Sequence, residues 1–365
     1  MTTRTLEART ETCTFCPKLC RQACPVSNAT PREALIPQQK MQMLHQLGRR
    51  RVPWTVEYTE PLYGCTGCGA CRQVCALDNE VSQSLFEGRR QARERGVLHP
   101  ALATLPERFK KRNERLRGRL REVVPRGRFA EEARVGFLPA CDALAESPGD
   151  VGAAFRLFDL VGAGYVRAVE GADACLGYPL YAAGEMDAFR QHAHKQADAL
   201  RRYAKVVTTC AGCAFATRAI YRREGIELPT EVVHLAEWAG DFVERLPERS
   251  DRPRALYHDP CHLGRQLGVM EGPRRLLARR AEVLEFSRNR GEAECCGGGG
   301  LVPLTMPATT RSAAEWRLVQ ARERGVTRVV TACATCKRTL GRVAGGIEIM
   351  DLAAALVEGV QGEST

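Results

Sequence analysis

No run of 18 or more apolar residues occurs in this sequence, so no helix is expected to cross a membrane. The opening stretch, Met1 to Thr12, is polar and lacks the apolar segment of a signal peptide. The expected location is therefore the cytoplasm, with peripheral attachment to the inner face of a membrane through a partner left open. Aromatic residues are few, 6% against 44% hydrophobic residues overall, which suits an ordinary globular chain. At 365 residues there is room for two or three domains. There is no P-loop, no Rossmann fingerprint and no Ser–His–Asp arrangement; the run Gly297–Gly300 lacks the Lys-Ser/Thr that a phosphate loop needs. A flavin, if the chemistry requires one, has to sit on a partner.

Cysteine is what the chain has in excess. There are 17, an odd number, in clusters. In a reducing compartment such clusters are metal ligands rather than disulfides. The net charge of +11 is also unevenly spread. Between Arg89 and Arg128 there are 14 Lys/Arg against four Asp/Glu, and the rest is nearly neutral. The plain reading of that stretch is a solvated helical connector; the other is a docking surface for an acidic partner or an anionic membrane. Apart from Phe109 no aromatic is interleaved with the charges, which argues against nucleic-acid binding.

The chain divides into residues 1–95, a basic connector over 96–130, and two further units over 131–250 and 251–365. Pro100, Pro106 and Pro125 bracket a helix expected over Glu107–Val124. Beyond it, strands are expected at Val135–Pro139, Tyr165–Glu170, Lys205–Thr209, Ala255–His258, Val283–Phe286, Val326–Thr331 and Ile347–Met350. They alternate with amphipathic stretches such as Met186–Tyr203 and Arg311–Arg324. That alternation predicts α/β units with parallel strands. The two units are copies. Val206-Val-Thr-Thr-Cys210-Ala-Gly-Cys213 matches Val329-Val-Thr-Ala-Cys333-Ala-Thr-Cys336. Cys141 and Cys175 recur 120 positions later as Cys261 and Cys295.

The first eight cysteines read Cys13-x2-Cys16-x3-Cys20-x3-Cys24-Pro25 and Cys65-x2-Cys68-x2-Cys71-x3-Cys75. Gaps of two and three residues let one loop hold three corners of a 4Fe-4S cube, with the fourth thiolate from elsewhere. With the crossing found in two-cluster ferredoxins, Cys13, Cys16 and Cys20 would pair with Cys75, and Cys65, Cys68 and Cys71 with Cys24. Gly64, Gly67, Gly69 and Ala70 would let backbone amides approach the sulfides. Two four-cysteine zinc sites are the alternative. This segment resembles the bacterial two-cluster ferredoxin domain. It departs from it in the three-residue gap between Cys16 and Cys20 and in Ala76 where proline is usual.

The last unit reads Cys261-x33-Cys295-Cys296-Gly297-x35-Cys333-x2-Cys336 and resembles the cysteine-rich CCG domain of heterodisulfide reductase. Related subunits belong to glycolate oxidase, the lactate-utilisation complex and anaerobic glycerol-3-phosphate dehydrogenase. The resemblance implies an α+β protein: a small helical two-cluster ferredoxin-like domain, then a duplicated α/β domain with parallel strands. It implies a non-cubane 4Fe-4S cluster on Cys261, Cys295, Cys296, Cys333 and Cys336, with Gly297–Gly300 letting backbone pass close by. The earlier copy reads Cys141-x33-Cys175-Leu176-Gly177-x32-Cys210-x2-Cys213, so leucine replaces the second adjacent cysteine. Four thiolates suit zinc or a conventional cube. Eight, four and five ligands account for all 17 cysteines.

His258 and His262, flanking Asp259, Pro260 and Cys261, are read as strand-end and helix-cap residues ahead of proton donors. His234 is placed in a helical stretch with Leu235 and Trp238, as packing. The resulting expectation is an electron-transfer subunit linking a flavoprotein dehydrogenase, acting on a 2-hydroxy acid or similar metabolite, to a quinone or other acceptor. A membrane quinone-linked partner is open and nucleic acid is not expected. A disulfide reductase with the CCG site as catalyst is the alternative.

Overall fold

The computed structural model describes residues 4–129 and 133–360. The expected boundary at 130/131 lies outside the described residues. Helices Leu6–Thr14, Pro37–Gly48, Val56–Tyr63 and Val81–Glu94 frame the first two cysteine loops. The Thr5 and Thr55 hydroxyls accept from the amides of Ala8 and Tyr58, and Pro37 opens its helix where no amide is needed. The core these helices share is small: Met41, Leu44, Leu47, Leu62, Val81 and Leu85, with Cys13. Segments with so little buried apolar surface are held by staples such as metals.

The basic segment forms the helix Leu105–Val123. It is not a solvated connector. Leu105, Phe109 and Leu116 are buried, while Arg112 and Arg117 reach Asp142 and Asp173 at 2.7 and 2.6 Å. Apolar residues at helical spacing turn one face inward and leave the charges to the rim.

Two four-stranded sheets follow, parallel throughout. The first holds β1 (Val135–Leu138), β2 (Arg167–Ala168), β3 (Lys205–Thr208) and β4 (Glu231–His234), in the order β2-β1-β3-β4. The second holds β5 (Arg254–His258), β6 (Glu282–Glu285), β7 (Arg328–Thr331) and β8 (Glu348–Asp351), in the order β6-β5-β7-β8. The identical order is the duplication seen in three dimensions. Strand β4 is the one the sequence did not announce, and it corrects the reading of His234. That residue ends the strand and caps the next turn: its Nδ1 accepts from Ala236 N, and Glu237 returns a bond to the His234 amide.

One apolar core runs through both copies, from Phe137, Phe155 and Phe158 to Leu256, Leu318 and Leu356. The helix Pro148–Leu160 packs on Leu352–Val357, and Lys337 and Arg338 reach across to Asp150 and Asp142, each at 2.6 Å. The sites lie where parallel strands place them, at the strands' C-terminal ends. Cys141, Cys210, Cys261 and Cys333 closely follow β1, β3, β5 and β7.

Candidate metal centres

Among the first eight cysteines, the thiol of Cys13 is raised to about 12 by burial, offset by a hydrogen bond from Asn79 and reinforced by the neighbouring Cys20, Cys16 and Cys75. Burial, with Cys16 and Cys24 nearby, raises Cys20 to about 11. Cys71 is raised by burial and then by Cys68, Cys65, Cys24 and Cys20. The fold thus brings Cys75 to the first loop and Cys24 to the second. Thiols this buried and crowded lose their protons only to a cation, which is the chemistry of a metal-binding donor set. Asn79 was not singled out from sequence; its Nδ2 donates to Cys13 Sγ at 3.1 Å and to Arg9 O at 2.8 Å.

The second loop turns through Gly67 and Gly69, both at φ 73°, a left-handed geometry that glycine takes without strain. It is wedged between the two repeats. Gln266 donates to Gly67 O and Arg265 to Cys68 O, at 3.3 and 2.9 Å. A Cβ on Gly299 would stand 2.4 Å from Thr66 O, and one on Gly300 2.0 Å from Cys65 O. The tail of the glycine run therefore seats the second repeat on the ferredoxin loop, while Gly297 and Gly298 pack on Thr310 and Thr339.

In the second repeat, Cys296 Sγ and Cys336 Sγ are 3.3 Å apart, Cys295 Sγ and Cys261 Sγ 4.0 Å, and Gly297 N donates to Cys295 Sγ at 3.4 Å. Cys295 Sγ also lies 3.8 Å from Thr66 Oγ1, and Cys68 interacts with it directly. His258, at the end of β5, is fully buried and caps no helix; its Nδ1 accepts from Arg317 Nε at 3.1 Å. Ligand atoms of His258, Cys296 and Cys336 fall within 4.8 Å of one another, which occurs nowhere else among the described residues. His262 caps no helix either. Its ring stacks on Phe215, centroids 4.8 Å apart, and meets Tyr178 edge-on; burial lowers it to about 4.

In the first repeat, Cys141, Cys175, Cys210 and Cys213 adjoin one another. Arg112 of the basic helix donates to Cys141 Sγ at 3.2 Å. The Cys141 thiol is held below its usual value by a hydrogen bond from Cys175 and by the Arg112 charge. Leu176 is buried in the place Cys296 occupies in the other copy, and the glycines that follow, Gly177 and Gly297, share a left-handed turn at φ 95° and 83°.

All nine cysteines of the two repeats line one cavity of about 770 Å³. The basic helix walls it with Arg108, Lys111, Arg112 and Arg115, and Arg338 and Arg342 stand on the far side. The one carboxylate in the lining is Asp142, which holds Arg112 and Arg338. No sequence motif marks this wall; only the folded helix brings the cations to the thiols.

Comparison with known proteins agrees with this architecture. A 4Fe-4S dicluster domain matches residues 9–79, and a cysteine-rich domain matches residues 135–229 and 255–341. One component of the dihydromethanophenazine:CoB–CoM heterodisulfide reductase of Methanosarcina acetivorans is 30% identical over 305 residues, 78% of this chain and 73% of that protein. One component of the fumarate reductase (CoM/CoB) of Methanothermobacter marburgensis is 30% identical over 311 residues, 80% of this chain and 62% of that protein. Lactate utilization protein A 1 from Bacillus anthracis is 24% identical over 201 residues, 51% of this chain and 83% of that protein.

Proposed function

The chain belongs to the family of iron–sulfur oxidoreductase subunits that includes this heterodisulfide reductase component, and from that premise we propose that it is an electron-transfer subunit. It works between a flavoprotein dehydrogenase, acting on a 2-hydroxy acid or similar metabolite, and a quinone or other acceptor. The observation that carries this reading is the contiguity of three cysteine sets. Cys20 of the first set adjoins Cys24 of the second, and the second meets the set of the second repeat where Cys68 lies against Cys295. Such a row suits single-electron passage across the chain.

The ligand sets are Cys13, Cys16, Cys20 and Cys75; Cys24, Cys65, Cys68 and Cys71; Cys141, Cys175, Cys210 and Cys213; and Cys261, Cys295, Cys296, Cys333 and Cys336. The two ferredoxin-like sets follow the spacing of cubes, while the four thiolates of the first repeat suit a cube or a zinc ion equally. Bound at these thiols, iron–sulfur clusters supply reversible one-electron storage. The protein's part is to deprotonate and position the thiolates, donate hydrogen bonds such as that of Asn79, and shield the inner sets from water.

The cavity favours a second reading. Beside the clusters its nine thiols would hold, the cation-walled space would admit a small anionic disulfide. Its two-electron, two-proton reduction to thiols would draw on electrons from the same partner. Metal analysis of the anaerobically reconstituted full chain separates the alternatives for the donor sets: four clusters require about sixteen irons, whereas zinc in the first repeat lowers this to about twelve with one zinc. The partner reading expects reduction of the chain by substrate only when a separate flavoprotein is added. Reduction of the purified chain alone by a 2-hydroxy acid overturns it.

A further inference from the structure

Three cations converge on the second cysteine loop without a carboxylate to meet them. Lys40, 1% exposed, donates from Nζ to Gly64 O at 2.6 Å and stands 3.8 Å from Cys24 Sγ. Arg89 is fully buried and spends four of its five N–H donors on carbonyls: Leu62 at 2.9 Å, Ala182 at 2.7 Å, Gly300 at 2.9 Å and Cys65 at 3.0 Å. Arg265 donates to Cys68 O at 2.9 Å and to the carbonyls of Gly291 and Ala293. Among the described residues none of the three is ion-paired. A buried cation without a counter-ion is costly, and carbonyl dipoles only partly offset that cost. The arrangement calls for an anion inside the loop.

The first cysteine set has a different setting. Arg72 is paired with Asp78 and Glu80, and Lys18 and Arg21 with Glu33, all near the surface. Around Cys13 the close donor is neutral, the amide of Asn79. Positive charge is therefore balanced at the outer set and unbalanced at the inner one.

We propose that Lys40, Arg89 and Arg265 are positioning residues that hold the reduction potential of the inner cluster above that of the outer one, so that an electron entering at the outer set is drawn toward the cavity. This rests on the assignment of cubes to both sets. A cube on four thiolates is anionic when oxidised and gains one more negative charge on reduction. Fixed cations stabilise the reduced form more, and in a buried loop little solvent screens them. The direction of easy flow would then be written into side chains that bind no metal.

The test is an anaerobic redox titration of the reconstituted full chain followed by electron paramagnetic resonance, with the outer signal identified by its change in Cys16→Ser. In wild type the inner signal should appear at the higher potential. Lys40→Gln should lower the reduced-to-oxidised ratio of the inner cluster at least tenfold at the wild-type midpoint, about 59 mV for a one-electron couple. The outer midpoint should stay in place, and Lys40→Arg should restore the inner one. Should Lys40→Gln fail to assemble, Arg265→Gln at the edge of the same loop gives the same readout. An inner midpoint at or below the outer one, or one that ignores the loss of charge while iron content is full, overturns the proposal. A wild-type chain that takes up no iron overturns the cluster assignment instead.

Discussion

The two repeats place equivalent strands in the same order and deliver cysteines from the same strand ends, yet they are finished differently. In the second, Cys296 faces Cys336, and a polar frame stands behind β5. Arg274 makes a two-point bond to Asp259 at 2.7 and 2.8 Å, and Arg317 braces His258. In the first, the positions matching His258 and Asp259 are Leu138 and Pro139, and Leu176 fills the place of the fifth thiol. The scaffold is thus indifferent to what it carries. The sheet needs only short apolar strands, while ligand number and the stiffness around it are set by a few residues at the strand ends.

Five changes, in four tests, sharpen or break that comparison. The largest effect is expected from Cys296→Ser. It leaves the second repeat with the ligand count of the first, so the signal of its cluster should vanish or convert. Electron transfer should fall by more than the roughly 10–100-fold that loss of an outer-sphere partner costs. Unchanged spectra and turnover would show that the adjacent pair is not a five-thiolate site.

Next is Asp259→Ala, which strips the buried Arg274 of its inner partner and should cost about 3–5 kcal/mol in urea unfolding. Glu285 remains as a second partner, at 2.6 Å, and should hold the loss to the lower end. A loss below about 1 kcal/mol, the range of an exposed pair, would mean that the frame is dispensable. Third is Leu176→Cys, which restores the ligand count of the first repeat. Its backbone already turns as the second does, so a second copy of the five-thiolate signal should appear, with a stability loss of about 1–3 kcal/mol from the apolar side chain removed. If iron loads fully and no such signal forms, the polar frame as well as the thiol is required.

The smallest effect concerns pH. His234 and Asp351 end β4 and β8 at matching places, and each caps the next helix, accepting from the amides of Ala236 and Ala353. Burial lowers His234 to about 4 and raises Asp351 to about 7, the latter with help from Asp150. The native histidine resists a proton that the unfolded chain accepts, so its contribution is full above about pH 6.5 and fades toward 4. The native aspartate retains a proton that the unfolded chain releases, so its contribution is full below about pH 4 and fades as pH rises through 7. His234→Asn should therefore flatten the loss of stability between about pH 6.5 and 4, and Asp351→Asn the loss between about pH 4 and 8, each read from urea midpoints. Slopes that match wild type would contradict this pairing of opposites.

Much of this is legible in the sequence because the signals are local. Cysteine spacing, the doubled Val-Val-Thr run and the alternation of strand and helix are short-range patterns, and every strand but β4 follows from them. Strand β4 does not, since Glu231-Val-Val-His234 is too short to show a period and runs directly into a helical turn. The same holds for Asn79, Lys40 and Arg112: nothing near them in sequence declares a thiol neighbour. The basic helix reads as solvated because charge dominates its composition, whereas Leu105, Phe109 and Leu116 decide its place.

The seat of the ferredoxin loop bears on how the protein is made. With Gly300 so near the carbonyl of Cys65 and Arg89 tied at once to Leu62, Ala182 and Gly300, the loop is closed over by the last third of the chain. Ribosomal synthesis delivers that third after the loop and its four cysteines have emerged. The carbonyls of Gly67 and Cys68 therefore wait for Gln266 and Arg265, and the loop takes its final shape only when the second repeat docks.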